Sequence, residues 1–417
     1  MDESARSVLI GNDAVILGIL MAILGFVFWG SSRTDGPWKR FYAVVPAILP
    51  CYLLPAICNS MGLFDGTASG LYPMARDYLL PASLVLFCVA MDLGAVLRLG
   101  PKMLAMFLVG TLGVMLGAVV AFAAMGVIHP QTVAGETWRG MTTIAGSWIG
   151  GGANQAAMKE VFGVDADLFG QFAAVDVIVA YAWMAVLLFM ASRAAAIDRW
   201  IGADTSAIED LKRRITAYQA EHERNPSTAD LMSILAIGIG GMGLSHLLAG
   251  PMVAWIKTLP AEWKLADYSL DSRFFWIAIF ATTLGVLASF TRARSLEGAG
   301  ASKIGSVMLY VLIATIGMQM DLKMLAERPL LLLLGLIWIG THGALMLLAA
   351  KLLRAPLFFM AVGSQANIGG AASAPVVASA FHPVLAPVGV LISVLGYALG
   401  TYCAYLTGLT LQAMAGG

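Results

Sequence analysis

The sequence predicts an all-α, polytopic membrane protein made of two inverted repeats, each with five transmembrane helices and one broken or re-entrant hairpin. Three observations predict it. Of the 417 residues 59% are hydrophobic and only 12% are charged, where a soluble domain carries about 25% charge. Apolar stretches near the roughly 20 residues that cross a bilayer recur along the whole chain. Two glycine-rich polar runs then interrupt that pattern at matching places. One is Gly146-Ser147-Trp148-Ile149-Gly150-Gly151-Gly152-Ala153-Asn154-Gln155; the other is Gly363-Ser364-Gln365-Ala366-Asn367-Ile368-Gly369-Gly370-Ala371-Ala372-Ser373.

Taken in order, the first half (residues 1–192) offers spans near 13–32, 41–60, 78–96, 103–127 and 166–192, with the first glycine run in an interrupted segment over 138–161. The N-terminal stretch Met1 to Asn12 lacks a basic region and a small-residue cleavage site, so no cleaved signal is expected. A charged stretch over 193–230 follows, with Arg199, Lys212, Arg213, Arg214 and Arg224 among interspersed acids. Ile208, Leu211, Ile215 and Tyr218 recur in it at helical spacing and predict an amphipathic surface helix inside a solvated linker. The second half (231–417) offers spans near 231–257, 274–291, 304–320, 329–350 and 384–412, with its glycine run in a segment over 356–381. Cys51, Cys58, Cys88 and Cys403 all fall in apolar stretches without metal or disulfide spacing and read as small hydrophobes.

Lys and Arg mark the cytoplasmic loops. Arg33, Lys39 and Arg40 mark one; Arg98 and Lys102, the linker, the Arg292/Arg294/Lys303 loop and Lys351/Arg354 mark the others. These loops fall on one side only if each glycine segment enters and leaves on the same face. The two halves then insert in opposite orientations, with both termini periplasmic in a bacterial inner membrane. Internal echoes support the repeat. Met91-Asp92-Leu93 matches Met320-Asp321-Leu322, each followed by a proline, Pro101 and Pro329. Asp176 and Ser393 each lie 30 residues past the glycine that opens their run, Gly146 and Gly363.

The residues also carry a resemblance. The helix end Ile316-Gly317-Met318-Gln319-Met320-Asp321-Leu322 resembles one found among cation:proton antiporters and bile-acid-type symporters. The paired glycine-rich segments look like those of bacterial sodium:glutamate and sodium:citrate symporters. Nearest of all, the chain outside the linker resembles the YjcL-like family of bacterial and plastid membrane proteins of unknown function. The resemblance implies a secondary transporter with inverted repeats, a homodimeric scaffold and an elevator-like moving core. It supplies no substrate. One departure matters: proton antiporters carry one or two acids in their crossing helices, whereas this chain places Asp176 in one half and only Ser393 opposite.

Consecutive glycines weaken a helix by roughly 1 kcal/mol each, and free backbone groups in lipid need protein or a wet cavity to satisfy them. The two runs therefore suit backbone that faces a ligand near the bilayer midplane. The residues expected to hold solute are Ser147, Trp148, Gly151, Gly152, Asn154, Gln155, Ser364, Gln365, Asn367 and Ser373. Trp148 either stacks on solute or fills the groove beside the glycines. Expected around the coupling cation are Asp176, Ser393, Thr143, Thr315 and Gln319, with Asp176, Asn154 and Asn367 as Na⁺ ligands. Asp176 is flanked by Ala173, Ala174, Val175, Val177 and Ile178. A charge at such depth costs at least about 2.5 kcal/mol, so it should face protein, water or a cation. Thr142 is a further possible ligand, Asp92 and Asp321 read as helix-end anchors, and His246 and His342 as satisfied buried imidazoles.

The leading expectation is a Na⁺-coupled symporter of elevator type for a small zwitterionic, neutral or weakly anionic solute. The alternatives are H⁺-coupled symport or cation/proton antiport through Asp176 and, more remotely, a channel or an intramembrane enzyme. No H-E-x-x-H pattern occurs, so no enzymatic activity and no cofactor beyond the coupling ion is expected. The zero net charge argues against a nucleic-acid partner.

Overall fold

A computed structural model describes residues 9–416 apart from 43–44, 46, 92, 205–207, 209–224, 261–262, 264, 266–269, 320–327 and 383–384. All regular structure among the described residues is helical. Asn12 starts α1 (Asp13–Ser31) by accepting from the amides of Ala14 and Val15 at 2.9 and 3.3 Å, a standard cap. The first half continues with α2 (Ile48–Ser60) and with α3 (Leu80–Val89), which is led in by Leu71–Met74 and a π-turn over Ala75–Leu79. Next come α4 (Pro101–Ile128), α5 (Thr137–Gly150), α6 (Gly152–Val161) and α7 (Ala166–Ala191). A short helix, α8 (Ala194–Ile201), leads out of it.

The second half consists of α9 (Thr228–Ile256), α10 (Arg273–Ser289), α11 (Ala301–Gly317), α12 (Leu330–Leu353), α13 (Leu357–Ile368), α14 (Gly370–Phe381) and α15 (Ala386–Met414). Each half thus sets a pair of short helices just before its last long one. Caps fix the boundaries: Ser227 and Asp230 form a capping box at α9, and Ser272 and Asp165 cap α10 and α7. Six described helices (α1, α4, α7, α9, α12 and α15) are long and apolar enough to cross a membrane, and α10 with the 3₁₀ turn Arg292–Ala299, bent by 95°, is a possible seventh. The other expected spans, 41–60, 78–96 and 304–320, correspond to the shorter α2, α3 and α11.

Glycines set the closest helix contacts. On α4, a Cβ at Gly117 would lie 2.6 Å from the Trp338 ring of α12, and the Trp338 indole donates to the Val114 carbonyl at 2.7 Å. On α15, a Cβ at Gly400 would lie 2.6 Å from the Gly150 Cα. The short pairs α5/α6 and α13/α14 pack with α4, α7, α12 and α15 as one group. A second group gathers α3 with α9, α10 and α11.

Most of the expected amphipathic segment, including Leu211, Ile215 and Tyr218, lies outside the described residues, as do Asp92 and Asp321. Ile208 packs against the core cluster that includes Ile201 of α8; Asp198 of that helix accepts from the Leu357 amide at 2.7 Å, at the start of α13. Asp198 is partly buried there, which raises its carboxyl above the usual range, while the Leu357 amide pulls it back down.

Candidate functional site

The first break is made by Gly151, whose φ of 78° and ψ of −175° belong to a region essentially reserved for glycine. Its amide closes α5 on the Ser147 carbonyl at 2.8 Å, and its carbonyl opens α6 by accepting from Asn154 and Gln155. The arms fold back on each other: a Cβ at Gly146 would meet the Asn154 carbonyl at 2.6 Å. Asp176 of α7 braces both arms. It accepts from Ser147 Oγ at 2.6 Å and Trp148 Nε1 at 2.6 Å on α5, and from Gln155 Nε2 at 3.0 Å on α6. The second break lies at Gly369–Gly370, with Gly370 at φ 59°. Here Gln365 Nε2 donates across the gap to Ser373 Oγ at 2.7 Å.

Both breaks face one cavity of about 530 Å³. Hairpin 1 contributes Ser147 and Gly151 to Ala153, and hairpin 2 contributes Gln365, Ile368 to Ala371, and Ser373. Asp176, 7% exposed, lies in the wall with Ala180, Tyr181 and Met184 of α7. Leu309, Tyr310 and Ile313 of α11 and Val390, Val394 and Tyr397 of α15 close the sides. Glu297, Ser302, Lys303 and Ser306 line the end toward the start of α11. Glu297 accepts there from the Ser302 amide and hydroxyl at 2.9 and 2.6 Å.

Of the residues expected from sequence, the structure therefore brings Ser147, Gly151, Gly152, Asp176, Gln365 and Ser373 to one cavity. The others stand elsewhere. Trp148 is fully buried, edge-on to Trp338 with ring centroids 5.2 Å apart, and its indole is engaged by Asp176. Gln155 sits behind Asp176 as a brace. The two asparagines expected to ligate Na⁺ are instead rivets between helices. Asn154 Nδ2 donates to the carbonyls of Gly150 and Tyr397, and its Oδ1 accepts from Thr401 at 2.6 Å. Asn367 Nδ2 donates to the carbonyls of Gly363 and Phe107, and its Oδ1 accepts from Thr111 at 2.8 Å. Each amide spends both of its donors and one oxygen lone pair on protein partners.

Ser364 accepts from Trp183 Nε1 and bonds His342 Nε2, both at 2.8 Å. His342 Nδ1 faces the Gly110 carbonyl at 3.1 Å and donates to it; in the neutral tautomer this implies, Nε2 accepts from the Ser364 hydroxyl. Thr143, Thr315 and Ser393 bond back to the carbonyls of Gly140, Leu312 and Gly389 on their own helices, as Thr142 does to Arg139. Gln319 follows α11 and is not part of the cavity wall. His246 bonds the Asp77 carbonyl at 2.7 Å.

Sequence reasoning missed Tyr181, Tyr310, Tyr397, Glu297 and Lys303. Helical stepping from Asp176 would have found Ala180, Tyr181 and Met184. Lys303, at the start of α11, carries no local sign of facing the cavity. It also missed Lys159, a buried lysine on α6 at 6% exposure. Lys159 donates to Glu160 at 3.1 Å and to the Tyr72 hydroxyl, which itself donates to Glu160. Arg76 lies 3.8 Å from Glu160, so this cluster ties hairpin 1 to the helix leading into α3.

The fold and the cavity define a multi-pass helical membrane protein in which two glycine-broken hairpins frame a shared internal space. The chain belongs to the family described as "Protein of unknown function (DUF819)", whose model matches residues 18–414. It is similar to the uncharacterized membrane protein YjcL of Bacillus subtilis (strain 168), with 25% identity over 340 residues that cover 80% of this chain and 82% of the relative. The resemblance to YjcL-like membrane proteins read from the two glycine runs therefore holds along most of the sequence.

Proposed function

We propose that the protein is a secondary active transporter that carries a small polar organic solute by an elevator-type movement driven by a cation gradient. One observation carries the reading: two helix breaks from separate halves of the chain, and the deep acid Asp176, line one cavity of about 530 Å³. Helix ends that meet at a midplane cavity offer N–H groups to solute and carbonyls to a cation.

The rivets support movement as a block. Asn154 joins hairpin 1 to α15, Asn367 joins hairpin 2 to α4, Asp176 joins hairpin 1 to α7, and Trp338 joins α12 to α4. Parting the two breaks would rupture these buried hydrogen bonds, whereas sliding the whole group past α1–α3 and α9–α11 would spare them and break the links that cross between the groups, Lys159 to Tyr72 and Thr282 to Thr401. In this reading the second group is the scaffold. Within it α9 buries only 17% of its apolar window, which leaves the rest for lipid or a second copy in a homodimer.

The two hairpins are read as re-entrant from opposite faces of an inner membrane. Hairpin 1 is held at its open end by the 72–76 cluster and hairpin 2 by α8 and, through Arg354, by Lys102. The cavity reaches Lys303, at the start of α11 and near the basic Arg292–Arg294 turn, which supports an inward-facing arrangement with both termini periplasmic.

Na⁺ is the first choice of cation, held by Asp176 and the Ser147 hydroxyl at the C-terminal end of α5, where the helix dipole is negative. A second reading, H⁺ coupling through Asp176, is favoured by one observation: the Asn154 and Asn367 oxygens expected on Na⁺ are taken by threonine hydroxyls. Uptake into proteoliposomes under imposed Na⁺ or H⁺ gradients separates the two. Asp176→Asn should reduce gradient-driven uptake at least about tenfold, since removing a buried, hydrogen-bonded charge costs more than the 1.4 kcal/mol that a factor of ten represents. Full gradient-driven transport by that variant would remove Asp176 from the coupling step.

A further inference from the structure

We propose that the solute is a small carboxylate bearing an adjacent hydrogen-bond donor, an amine or a hydroxyl. Its carboxylate caps the N-terminus of α14 and its donor fills the open end of the Gln365 amide. The inference rests on reading the cavity as a solute site.

Gln365 is 1% exposed and lines the cavity. Its Nε2 is held by Ser373, while its Oε1 has no hydrogen-bond partner among the described residues. Leaving a buried acceptor unpaired costs about 1–3 kcal/mol, so such atoms are uncommon unless something outside the chain completes them. The side chain does not sit there through slack. Its neighbours are fixed on both sides, Ser364 by Trp183 and His342, Asn367 by Phe107 and Thr111. The oxygen is thus held, without a donor, just beneath the cavity surface by a rigid segment that lines it.

One turn further on, α14 begins at Gly370 and runs 12 residues. Its first amides lack partners within the helix, and its dipole places positive potential at that end. Gly370 and Ala371 line the same cavity, so an anion can reach those amides. Hairpin 1 offers a second N-terminus, at Gly152 and Ala153 of α6, but Asp176 stands in the same wall. Its charge opposes an anion there and favours an ammonium or hydroxyl. The two ends of the cavity therefore prefer different parts of one molecule: carboxylate at α14, donor toward Gln365 Oε1 and Asp176. A second carboxylate would be driven against Asp176, so dicarboxylates fit poorly. Tyr181, Tyr310 and Tyr397 are left to meet whatever the molecule carries beyond these groups.

The test is thermal unfolding of the full-length protein in detergent against two matched sets. The first is alanine, lactate, propionate and ethylamine. The second, which fills more of the cavity, is phenylalanine, 3-phenyllactate, 3-phenylpropionate and phenethylamine. A ligand that binds only the native state raises the unfolding temperature. The amino acid or the hydroxy acid of at least one set should bind about tenfold more tightly than the plain acid and the plain amine of that set, as expected for a donor reaching a buried acceptor. Whichever of the two binds better identifies the donor. In Gln365→Met that advantage should shrink to that of the plain acid, whose own binding stays put. A plain acid or plain amine that binds as tightly as its bifunctional partner overturns the proposal, as does a panel in which no compound shifts the transition. An unchanged advantage in Gln365→Met overturns it too. The wild-type panel stands even if that variant fails to fold. The expected binding pattern without gradient-driven uptake would sink the transporter reading alone. Gradient-driven uptake of a plain acid or a dicarboxylate would sink this solute class alone.

Discussion

The two hairpins solve the same problem in different ways. Hairpin 1 breaks at a single glycine in a conformation other residues avoid, and a carboxylate from another helix bonds to both of its arms. Hairpin 2 breaks at a glycine pair and is spanned by its own Gln365 and Ser373, two neutral side chains, with one amide oxygen left over. A charged brace and a neutral brace facing each other across one cavity give it a polarity that no single segment has. The first break is the electrostatic half of the site; the second reads hydrogen-bonding groups.

The comparison can be broken at several points, each measured by thermal unfolding of the purified protein. The largest loss is expected from Asn154→Leu and Asn367→Leu. Each removes three buried bonds, at about 3 kcal/mol in all, although Thr401 keeps Thr282 and Thr111 keeps the Phe107 carbonyl as partners. Similar losses at both sites are expected because the local chemistry is the same; a neutral outcome at either would show that its hairpin is held by packing alone. Trp148→Phe removes one charge-assisted bond to Asp176 and should cost about 2 kcal/mol, with no counterpart effect in hairpin 2. Gly151→Ala should cost about 2 kcal/mol because φ 78° with ψ −175° has no well for a side chain. Gly370→Ala, at φ 59°, should cost about 1 kcal/mol. Equal costs at the two glycines would erase the distinction between the breaks. The smallest effect is expected from Asp198→Ala, which uncaps the first amide of α13 and should lose about 1 kcal/mol or less.

Much of this was legible in the sequence, for a physical reason. Three adjacent glycines beside Asn-Gln in an apolar chain violate helix propensity so strongly that the first break could be assigned to that run, and the Gly369-Gly370 pair marked the second run as its counterpart. Asp176 was legible because burial of a lone acid in an apolar helix needs an explanation. The role of the asparagines as links between helices was not legible because polarity can be read locally and partners cannot. Thr401 lies 247 residues from Asn154, and Thr111 lies 256 residues from Asn367. Thr143, Thr315 and Ser393 show the same limit: a hydroxyl can bond its own helix, and no spacing rule reveals when it does so. The tyrosines were missed because each sits on a different helix, and only tertiary packing collects them.

The bond between Asp198 and the Leu357 amide has a consequence for how signals could travel. α8 opens the segment that joins the two halves, and α13 runs from that bond to the second break as a single helix of 12 residues. At 1.5 Å per residue the lever is about 18 Å long. A push on the linker at its first turn, whether from a bound protein or a change in its charge, therefore arrives at the Gln365 oxygen as displacement of a rod rather than as slack in a tether.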